Sequence, residues 1–419
     1  MGLIPPPLRN DCFAMPPGAE WTPVDDALAH LKQHLQSATG VECVDVSNGV
    51  DRILAGPTLA LRAHPPQSNA AVDGYALRGP VPQGAQELPL VDGRSAAGLP
   101  YIDTVPEGHA IRILTGAVVP DGTDTVIMQE DVTTNGTHIA FHGPLKTGAN
   151  VRQAGEDLAQ GQTLFPARHR LRPTDLATLA SVGAGCLNVR KRLCVAVLST
   201  GDELVEPGRI ARHGQIYDAN RPMMISTLQS WGYDVVDLGI TPDDRDLIRA
   251  KLDAAAKDCD VILTTGGASA GDEDHMSALL EGTGSLALWR IAMKPGRPLA
   301  LGLWRDTPVF GLPGNPVAAC VCMLIFARPS LSVMAGGNWL PPVNYMLPAN
   351  FTKTKKAGRR EFLRARLTDQ GSVEVFPSEG SGRISGLSWA SGLVMLPDEA
   401  ATIEPGTPVA YLPLGEMRL

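Results

Sequence analysis

The chain has 419 residues, of which 44% are hydrophobic and 19% are charged, a balance typical of folded globular proteins. Its 44 glycines and 35 prolines predict short elements joined by many tight turns. The formal net charge of −8 argues against a protein that coats nucleic acid or an anionic membrane, because such proteins are usually basic.

The N-terminal residues show no secretory signal pattern, since no apolar run follows a basic region. The longest apolar stretch, roughly residues 316–327, is shorter than the ~20 residues that a membrane helix needs. The seven cysteines form no C-x-x-C motif, and Cys320 and Cys322 in the apolar stretch are predicted to be buried free thiols. We therefore expect a cytoplasmic protein that has neither a membrane anchor nor a metal site built from cysteine.

The first half of the chain predicts a discontinuous domain with an insertion. Apolar residues recur every three or four positions over residues 24–32, which predicts a helix. Alternating runs such as residues 124–129 predict short strands, and a second helix is predicted over residues 173–180. We therefore predict a mixed domain formed by residues 1–60 and 144–190, with a β-rich lobe, residues 61–143, inserted into it.

The second half predicts two further domains. Between residues 191 and 330, apolar strands alternate with amphipathic helices, which predicts a doubly wound parallel α/β sheet covered on both faces. The predicted strands are 193–198, 234–238, 261–264 and 309–312, and the predicted helices are 220–230 and 244–257. Residues 340–419 predict a small C-terminal β-barrel, because short strands alternate with Gly and Pro turns. Its predicted strands are 362–367, 373–376 and 407–412.

Three unusual loops directly follow predicted strands of the α/β domain, at residues 199–204, 264–275 and 311–317. Ligands of an open parallel sheet bind beyond the carboxyl ends of the strands. The second and third loops are rich in glycine, so their backbone N–H groups can converge on an anion. In the third loop, Asn315 is predicted to cap a helix that begins at Pro316. The loops contain neither a Walker motif nor G-x-G-x-x-G, which argues against an ordinary ATPase or NAD enzyme.

Carboxylates cluster in the first two of these loops. They are Asp202, Glu203, Asp272, Glu273 and Asp274. Carboxylates beside a phosphate cradle indicate bound Mg²⁺, because this ion prefers one or two carboxylates together with phosphate oxygens. In the alternative interpretation, the glycines only form tight turns and the acids only cap helices. Three such loops at one sheet edge favour the anion and metal site.

Cations occur in stiff turns nearby. Residues 290–298 contain Arg290, Lys294 and Arg297 and can clamp an anionic group, although an exposed basic turn is an equal alternative. Residues 358–362 and 380–385 combine guanidinium groups with small hydroxyl donors, a combination that suits a tetrahedral oxyanion, whereas each turn by itself is more often a plain surface turn. In the β-rich lobe, Asp73 precedes a glycine, which by default predicts an ordinary hairpin turn.

Seven motifs in one order resemble those of the molybdopterin molybdenumtransferase family, MoeA in bacteria and the E domain of gephyrin in animals. They are residues 69–76 with Val-Asp-Gly-Tyr-Ala, 155–157 with Gly-Glu-Asp, 199–204, 264–275, 293–298, 311–317 and 358–364. The resemblance spans about residues 60–419. Each motif is weak by itself, and their common order makes the resemblance specific.

The resemblance implies a transferase of molybdenum cofactor biosynthesis. Family members insert molybdate into the dithiolene of adenylated molybdopterin and release AMP, with Mg²⁺ or another divalent metal assisting. They are elongated homodimers of four domains, in which the active site lies between the α/β domain of one subunit and the β domains of the other. The α/β domain is similar to the molybdopterin adenylyltransferase, which is the implied upstream partner. Apo-molybdoenzymes or their chaperones are the implied downstream partners.

The resemblance also assigns roles to individual residues. The implied catalytic residues are Asp202, Glu203, Asp243, Asp274 and Lys294, and the implied metal ligands are Asp272 and Asp274. The implied substrate-binding residues are Asp73, Thr115, Gly266, Gly267, Ser269, Gly271, Arg290, Arg297, Pro313, Gly314, Asn315, Arg360 and Ser381. Within this set, Arg360 and Ser381 match an oxyanion pocket. The chain departs from the family at Arg297, where Lys is common, and at Ala318, where Ser is common.

Two other functions stay open at this stage. A non-catalytic paralogue would bind molybdopterin as a scaffold, but the intact acidic edge argues against it. A nucleotide-cleaving hydrolase would use the same α/β domain without molybdate, but the match of Arg360 and Ser381 to an oxyanion pocket argues against that function.

Overall fold

The computed structural model describes residues 21–266, 275–282, 287–296, 298–380 and 382–419. The chain divides into two units. The smaller unit comprises residues 43–50 and 54–188, and the larger unit comprises residues 1–42, 51–53 and 189–419. The four-domain division expected from the sequence is finer than this one, and its boundaries stay a prediction.

The helices of the described ranges agree with the sequence periodicity. In chain order they are α1 (Val24–His34), α2 (Pro173–Ser181), α3 (Asn220–Ser230), α4 (Arg245–Asp258), α5 (His275–Glu281), α6 (Pro316–Cys322), α7 (Arg328–Met334) and α8 (Ser385–Trp389). The four helices predicted over 24–32, 173–180, 220–230 and 244–257 are confirmed as α1 to α4. Asp244 lies one residue before α4 and caps it, because its side chain accepts from the backbone N–H groups of Asp246 and Leu247.

The first twelve strands lie between residues 41 and 190. They are β1 (Val41–Asp45), β2 (Thr58–Leu59), β3 (Asn69–Ala70), β4 (Gly74–Leu77), β5 (Val81–Ser95), β6 (Ala110–Ile113), β7 (Thr125–Met128), β8 (Val132–Thr134), β9 (His138–Leu145), β10 (Val151–Arg152), β11 (Thr163–Phe165) and β12 (Cys186–Arg190). Six of them form a sheet in the order β7-β4-β6-β5-β9-β8. The strand predicted over residues 124–129 is confirmed as β7.

Strand β4, an inner strand of the six-stranded sheet of the smaller unit, is buried on both faces. Successive side chains of a strand point to opposite faces. Tyr75 and Leu77 of β4 therefore pack in one apolar cluster, and Ala76 between them packs in another. The smaller unit also contains a disulfide between Cys43 and Cys186, two cysteines that the sequence analysis did not single out. Cys320 and Cys322 of the larger unit are free and buried, as predicted.

The described residues between 194 and 312 form nine strands of the larger unit. They are β13 (Cys194–Thr200), β14 (Leu204–Val205), β15 (Ile216–Tyr217), β16 (Asp234–Thr241), β17 (Val261–Thr265), β18 (Ala287–Arg290), β19 (Met293–Lys294), β20 (Pro298–Trp304) and β21 (Thr307–Leu312). The main sheet has the order β16-β13-β17-β21-β20-β18. The four predicted strands are confirmed as β13, β16, β17 and β21, and they pair in parallel.

The prediction of a wholly parallel sheet is wrong at one edge. Strand β20 pairs antiparallel with β21, and β18 pairs antiparallel with β20. The reversal follows from the two-residue turn between β20 and β21, where Arg305 and Asp306 have φ of +50° and +67°. A two-residue turn can join only antiparallel strands. The sheet is therefore mixed, with a parallel centre.

Helices cover both faces of this sheet, as predicted. On one face, Val195 of β13 packs in a cluster with Met224 of α3 and with α6 and α7. On the other face, Ala196 of β13 packs with Leu252 of α4 and Leu279 of α5. The carboxyl ends of β13, β16, β17 and β21 therefore project from a sheet that is anchored on both sides.

The apolar stretch is longer in the structure than in the sequence analysis, because a continuous helical run extends over Pro316–Met334. A π-helical turn, Met323–Ala327, joins α6 to α7. Pro329 accounts for this turn. In a regular α-helix, its ring would clash with the backbone carbonyl four residues earlier, and it has no N–H to donate to that carbonyl. The run is long and apolar enough to cross a membrane by composition, but 89% of it is buried, as in the core helix of a soluble protein.

The C-terminal strands are β22 (Tyr345–Pro348), β23 (Lys353–Lys355), β24 (Arg360–Leu367), β25 (Val373–Val375), β26 (Gly392–Leu396), β27 (Ala401–Ile403) and β28 (Pro408–Pro413). The predicted small β-barrel is present in the described chain. Strands β25, β24, β26, β28 and β22 pair in that order. The chain just after β22 returns to β25 and closes the ring, because Ala349 bridges Val373 and the backbone N–H of Asn350 donates to the carbonyl of Val373 at 2.7 Å. Strand β19 pairs in parallel with β24, so Met293 and Lys294 extend the C-terminal sheet.

Candidate active site at the carboxyl edge of the sheet

The loop after β13 is tied to the loop after β16. The backbone N–H of Gly201 donates to the carbonyl of Thr241 at 3.2 Å. The backbone N–H of Asp243 donates to Oδ1 of Asp202 at 3.1 Å. The structure thus brings together two of the predicted catalytic acids, which are 41 residues apart in the sequence. The adjacent Glu203 belongs to the same loop, with carboxylate oxygens close to Gly201.

The loops after β13, β17 and β21 converge at two glycines. Gly266 has φ of +89°, and a Cβ there would lie 2.2 Å from the carbonyl oxygen of Thr200. A Cβ on Gly314 would lie 3.7 Å from the Cα of Gly266, which is ordinary contact. Only glycine fits at position 266, because any other side chain would meet backbone and adopt a left-handed φ.

Asn220 at the start of α3 holds two of these loops together. Its Nδ2 donates to Oγ1 of Thr265 and to the carbonyl oxygen of Gly314, both at 2.7 Å. Thr265 Oγ1 in turn donates to the carbonyl of Pro313 at 3.2 Å. The sequence analysis missed Asn220, although a residue typical of helix starts, Asp218, lies two positions before it. Its carboxylate accepts from the backbone N–H groups that open α3, as an N-capping aspartate does.

Five side-chain oxygens at this edge are buried and have no hydrogen-bond partner in the described chain. They are Oγ of Ser199, Oγ1 of Thr200, Thr241 and Thr264, and Oδ1 of Asn220. Buried polar atoms in native proteins are almost always hydrogen-bonded. Several at one sheet edge therefore indicate a place built for a polar ligand or ordered water. Hydroxyl groups of this kind can donate to phosphate oxygens, and both hydroxyl and amide oxygens can bind hard cations.

The predicted metal ligands and part of the glycine loop lie outside the described residues. These are Gly267, Ser269, Gly271, Asp272 and Asp274. Among the described residues, no group of three or more His, Cys, Asp or Glu side chains can hold a metal ion. The Mg²⁺ site therefore stays a prediction.

The turn that carries Lys294 packs against the helix that follows the third loop. Asn315 caps α6 as predicted, accepting from the backbone N–H of Val317 at 3.1 Å. Gly296 has φ of +93°, and a Cβ there would lie 2.8 Å from Sγ of Cys322 on α6. Arg290 ends β18 four residues before Lys294. Arg297 lies outside the described residues.

Lys294 belongs to a chain of alternating charges. Its Nζ lies 2.6 Å from Oε2 of Glu379, whose Oε1 also pairs with Lys353. Lys353 Nζ lies 3.0 Å from Oε2 of Glu361. Burial opposes ionisation of Glu379, but the hydrogen bonds from the two lysines outweigh burial and keep the pKa of Glu379 below its usual value. For Lys353, burial is likewise outweighed by the two carboxylates, and the pKa is raised.

These side chains line a small cavity, which we call the lysine cavity. Its volume is about 160 Å³, and its wall includes Lys294, Lys353, Arg364 and Glu379. Arg364 is 4% exposed and holds the adjacent loop, because its guanidinium donates to the carbonyls of Ser378, Gly380 and Arg383. The sequence analysis missed Lys353, Arg364 and Glu379, since no local pattern distinguishes them from other charged residues.

Arg360 lies in a different setting from the expected oxyanion pocket. Its guanidinium makes two hydrogen bonds to Asp25, at 2.7 and 2.8 Å, and one to Asp398 at 2.8 Å. The hydrogen bonds that Arg360 donates to Asp25 outweigh burial and, with the hydrogen bond to Asp398 and the charges of both carboxylates, raise the pKa of Arg360. Arg360 lines a second cavity with Asp25 and Asp398, whereas Lys294 lines the lysine cavity. Ser381 lies outside the described residues, so the predicted pair stays a prediction.

The smaller unit brings Asp73 and Thr115 together. Asp73 Oδ1 accepts from the backbone N–H of Thr115 at 2.6 Å and from its hydroxyl at 2.7 Å. The hydroxyl and then the N–H lower the pKa of Asp73. The default hairpin interpretation is wrong here, because β3 pairs with β10 while β4 pairs with β6 and β7. Asp73 is partly exposed, and its place at a cleft stays a prediction.

Three family models match the chain in succession. The MoeA N-terminal region (domain I and II) matches residues 22–183. A probable molybdopterin binding domain matches residues 196–333. The MoeA C-terminal region (domain IV) matches residues 347–414.

Full-length relatives agree with the family models. The molybdopterin molybdenumtransferase of Haemophilus influenzae is 35% identical over 402 residues, which cover 94% of this chain and 99% of the relative. The chain belongs to the MoeA family. Molybdopterin molybdenumtransferase 2 of Mycobacterium tuberculosis is 33% identical over 369 residues, which cover 85% of this chain and 90% of that relative. The resemblance stated from the seven motifs is thereby confirmed.

Solved MoeA structures share the fold. The crystal structure of the molybdopterin biosynthesis MoeA protein from Pyrococcus horikoshii OT3 superposes with a TM-score of 0.81 at 28% identity. The match covers 94% of this chain and all of that one. The predicted multidomain fold, with a central α/β domain and a C-terminal β domain, is confirmed by this match.

Proposed function

We propose that the protein inserts molybdate into adenylated molybdopterin, releases AMP and yields molybdenum cofactor. Membership of the MoeA family makes it a transferase of molybdenum cofactor biosynthesis, and the release of AMP is the finer step that we propose. The observation that carries the proposal is the carboxyl edge of the sheet. There, the loops converge and bring two carboxylates together, and five buried side-chain oxygens without a hydrogen-bond partner in the described chain belong to the same edge.

The described residues divide the chemistry between two sites. The hydroxyls of the sheet edge are donors for the phosphate groups of the adenylated substrate. The lysine cavity, with its volume of about 160 Å³, has room for about five water molecules and hence for one tetrahedral oxyanion. Fixed donors stabilise the charge that develops on the phosphate as the bond to AMP breaks.

A divalent metal, Mg²⁺ in this proposal, would be held by Asp202 and Asp243 together with Asp272 and Asp274. When bound, it neutralises charge on the phosphate oxygens. We further propose a cytoplasmic homodimer that receives its substrate from molybdopterin adenylyltransferase and delivers its product to apo-molybdoenzymes or their chaperones.

The test combines the purified protein with adenylated molybdopterin, Mg²⁺ and molybdate. AMP release is measured by chromatography, and cofactor formation is measured by activation of an apo-molybdoenzyme. Asp202→Asn should reduce the rate of AMP release about 10²-fold, the usual effect of removing one charged group from such a site. Asp246→Asn is the matched control, because Asp246 is 90% exposed on α4 and pairs only peripherally with Arg249, at 3.5 Å.

The outcomes separate the candidate functions. AMP release that depends on molybdate and activates the apo-enzyme supports the proposal. Tight binding of the adenylated substrate without AMP release would indicate a scaffold. AMP release that does not respond to molybdate would indicate a nucleotide-cleaving hydrolase. Unchanged turnover in Asp202→Asn would refute the role of the sheet edge.

A further inference from the structure

We propose that Glu379 is a resident counter-anion, which occupies the lysine cavity and competes with an oxyanion for Lys294 and Lys353. This inference rests on the proposed function, because it concerns the binding of the molybdate substrate. Glu379 would set the minimum charge that an incoming anion needs, and so favour dianions over monoanions.

The first argument is position. The two carboxylate oxygens of Glu379 are divided between two cations, with Oε2 on Lys294 at 2.6 Å and Oε1 on Lys353. A tetrahedral oxyanion presents the same feature, namely two or more oxygens on one centre. The carboxylate therefore occupies the place where such an anion would make its charge-assisted hydrogen bonds.

The second argument is the difference in mobility between the two carboxylates of this charge chain. Glu361 pairs with Lys353 at 3.0 Å and is only 9% exposed, so it stays with the lysine. Glu379 is 42% exposed, so its carboxylate can turn toward water. Arg364 binds the carbonyls of Ser378 and Gly380 on either side of Glu379. The backbone is therefore held while the side chain of Glu379 remains able to rotate.

The third argument is charge. Hydrogen bonds from the lysines keep the pKa of Glu379 low, so the carboxylate is ionised at neutral pH. A monoanion that displaces the Glu379 carboxylate leaves the negative charge in the cavity unchanged. A dianion adds one more negative charge beside Lys294, Lys353 and Arg364. The cavity of about 160 Å³ limits the occupant to a small anion.

The test measures binding of two tetrahedral dianions, molybdate and sulfate, by isothermal titration calorimetry. Glu379→Gln keeps the size of the side chain but removes its charge, and we expect it to bind both dianions about tenfold more tightly than the unmodified protein. Glu379→Ala should show the same direction. Glu374→Gln is the matched control, because Glu374 is a carboxylate of the same β domain that pairs with Arg366 outside the cavity. It should leave both affinities unchanged.

A double variant locates the effect. In Glu379→Gln with Lys353→Met, the gain in affinity should disappear, because the second cation is gone. Equal or weaker dianion binding by both Glu379 variants would overturn the proposal and make Glu379 a structural support for the lysines. Absence of dianion binding in every protein would also overturn it.

The outcome is separable from that of the proposed function. Molybdate-dependent AMP release by the unmodified protein, with no change of affinity in Glu379→Gln, would overturn only the role of Glu379. Tighter dianion binding in Glu379→Gln, without AMP release by the unmodified protein, would support the role of Glu379 and contradict the proposed function.

Discussion

Gly266 is the position at which the sheet edge tolerates no side chain. Its φ is +89°, and a Cβ would lie 2.2 Å from the backbone oxygen of Thr200, which cannot move without shifting the end of β13. Left-handed backbone costs a residue other than glycine about 1–2 kcal/mol. Overpacking of a close contact adds about 1–3 kcal/mol. We expect Gly266→Ala to lower the free energy of unfolding of the larger unit by about 2–5 kcal/mol.

Gly208 supplies the control for backbone conformation. It has φ of +84°, and a Cβ there would meet no atom within 4 Å. Gly208→Ala should therefore cost only the conformational part, about 1–2 kcal/mol. The difference between the two variants isolates the close approach of the loops after β13 and β17.

Tryptophan fluorescence in a urea titration is the assay. All six tryptophans of the chain belong to the larger unit, so the signal reports its unfolding without contribution from the smaller unit. Equal losses of stability in Gly266→Ala and Gly208→Ala would refute the argument, because the 2.2 Å approach would then have no energetic consequence.

Two further predictions concern titratable groups. Burial opposes ionisation of Asp175, but Arg172 and His169 outweigh it and lower the pKa, so the stabilisation is complete above about pH 4 and is lost as pH falls further. Asp175→Asn should lower stability by about 1–3 kcal/mol at pH 7 and by less at pH 3, measured by circular dichroism; an equal loss at both would contradict this. Sγ of Cys194 lies 2.9 Å from Sγ of Cys259, so a small disulfide reagent should link them. Burial raises the pKa of Cys259 to about 12 and also raises that of Cys194, so the disulfide should form faster at pH 9 than at pH 7. Non-reducing peptide mapping measures its formation, and the linked peptides should be absent in Cys194→Ser.

Helices and central strands could be predicted from the sequence because their patterns are local. Helix α1 begins at the predicted residue, Val24, since its buried apolar residues Val24, Ala27 and Leu31 recur every three or four positions. The antiparallel edge of the sheet could not be predicted. Arg305 and Asp306 adopt positive φ without being glycine, so the turn between β20 and β21 has no sequence signal.

In the candidate site, too, features with a local sequence pattern could be predicted, and contacts between distant segments could not. The loops at the carboxyl edge and the Asn315 cap were predictable, because each follows a recognisable strand or opens a recognisable helix. Asn220 was missed because its partners, Thr265 and Gly314, come from other segments. Its hydrogen bonds exist only once the parallel strands are aligned.

The sequence by itself determined the family, the order of the motifs and the sheet edge at which we propose that the chemistry takes place, because these depend on short-range patterns. Only the tertiary structure decided which charges meet. It pairs Arg360 with Asp25, 335 residues away, and Lys294 with Glu379, 85 residues away. Coulomb energy depends on distance in space, and packing of the whole larger unit sets that distance.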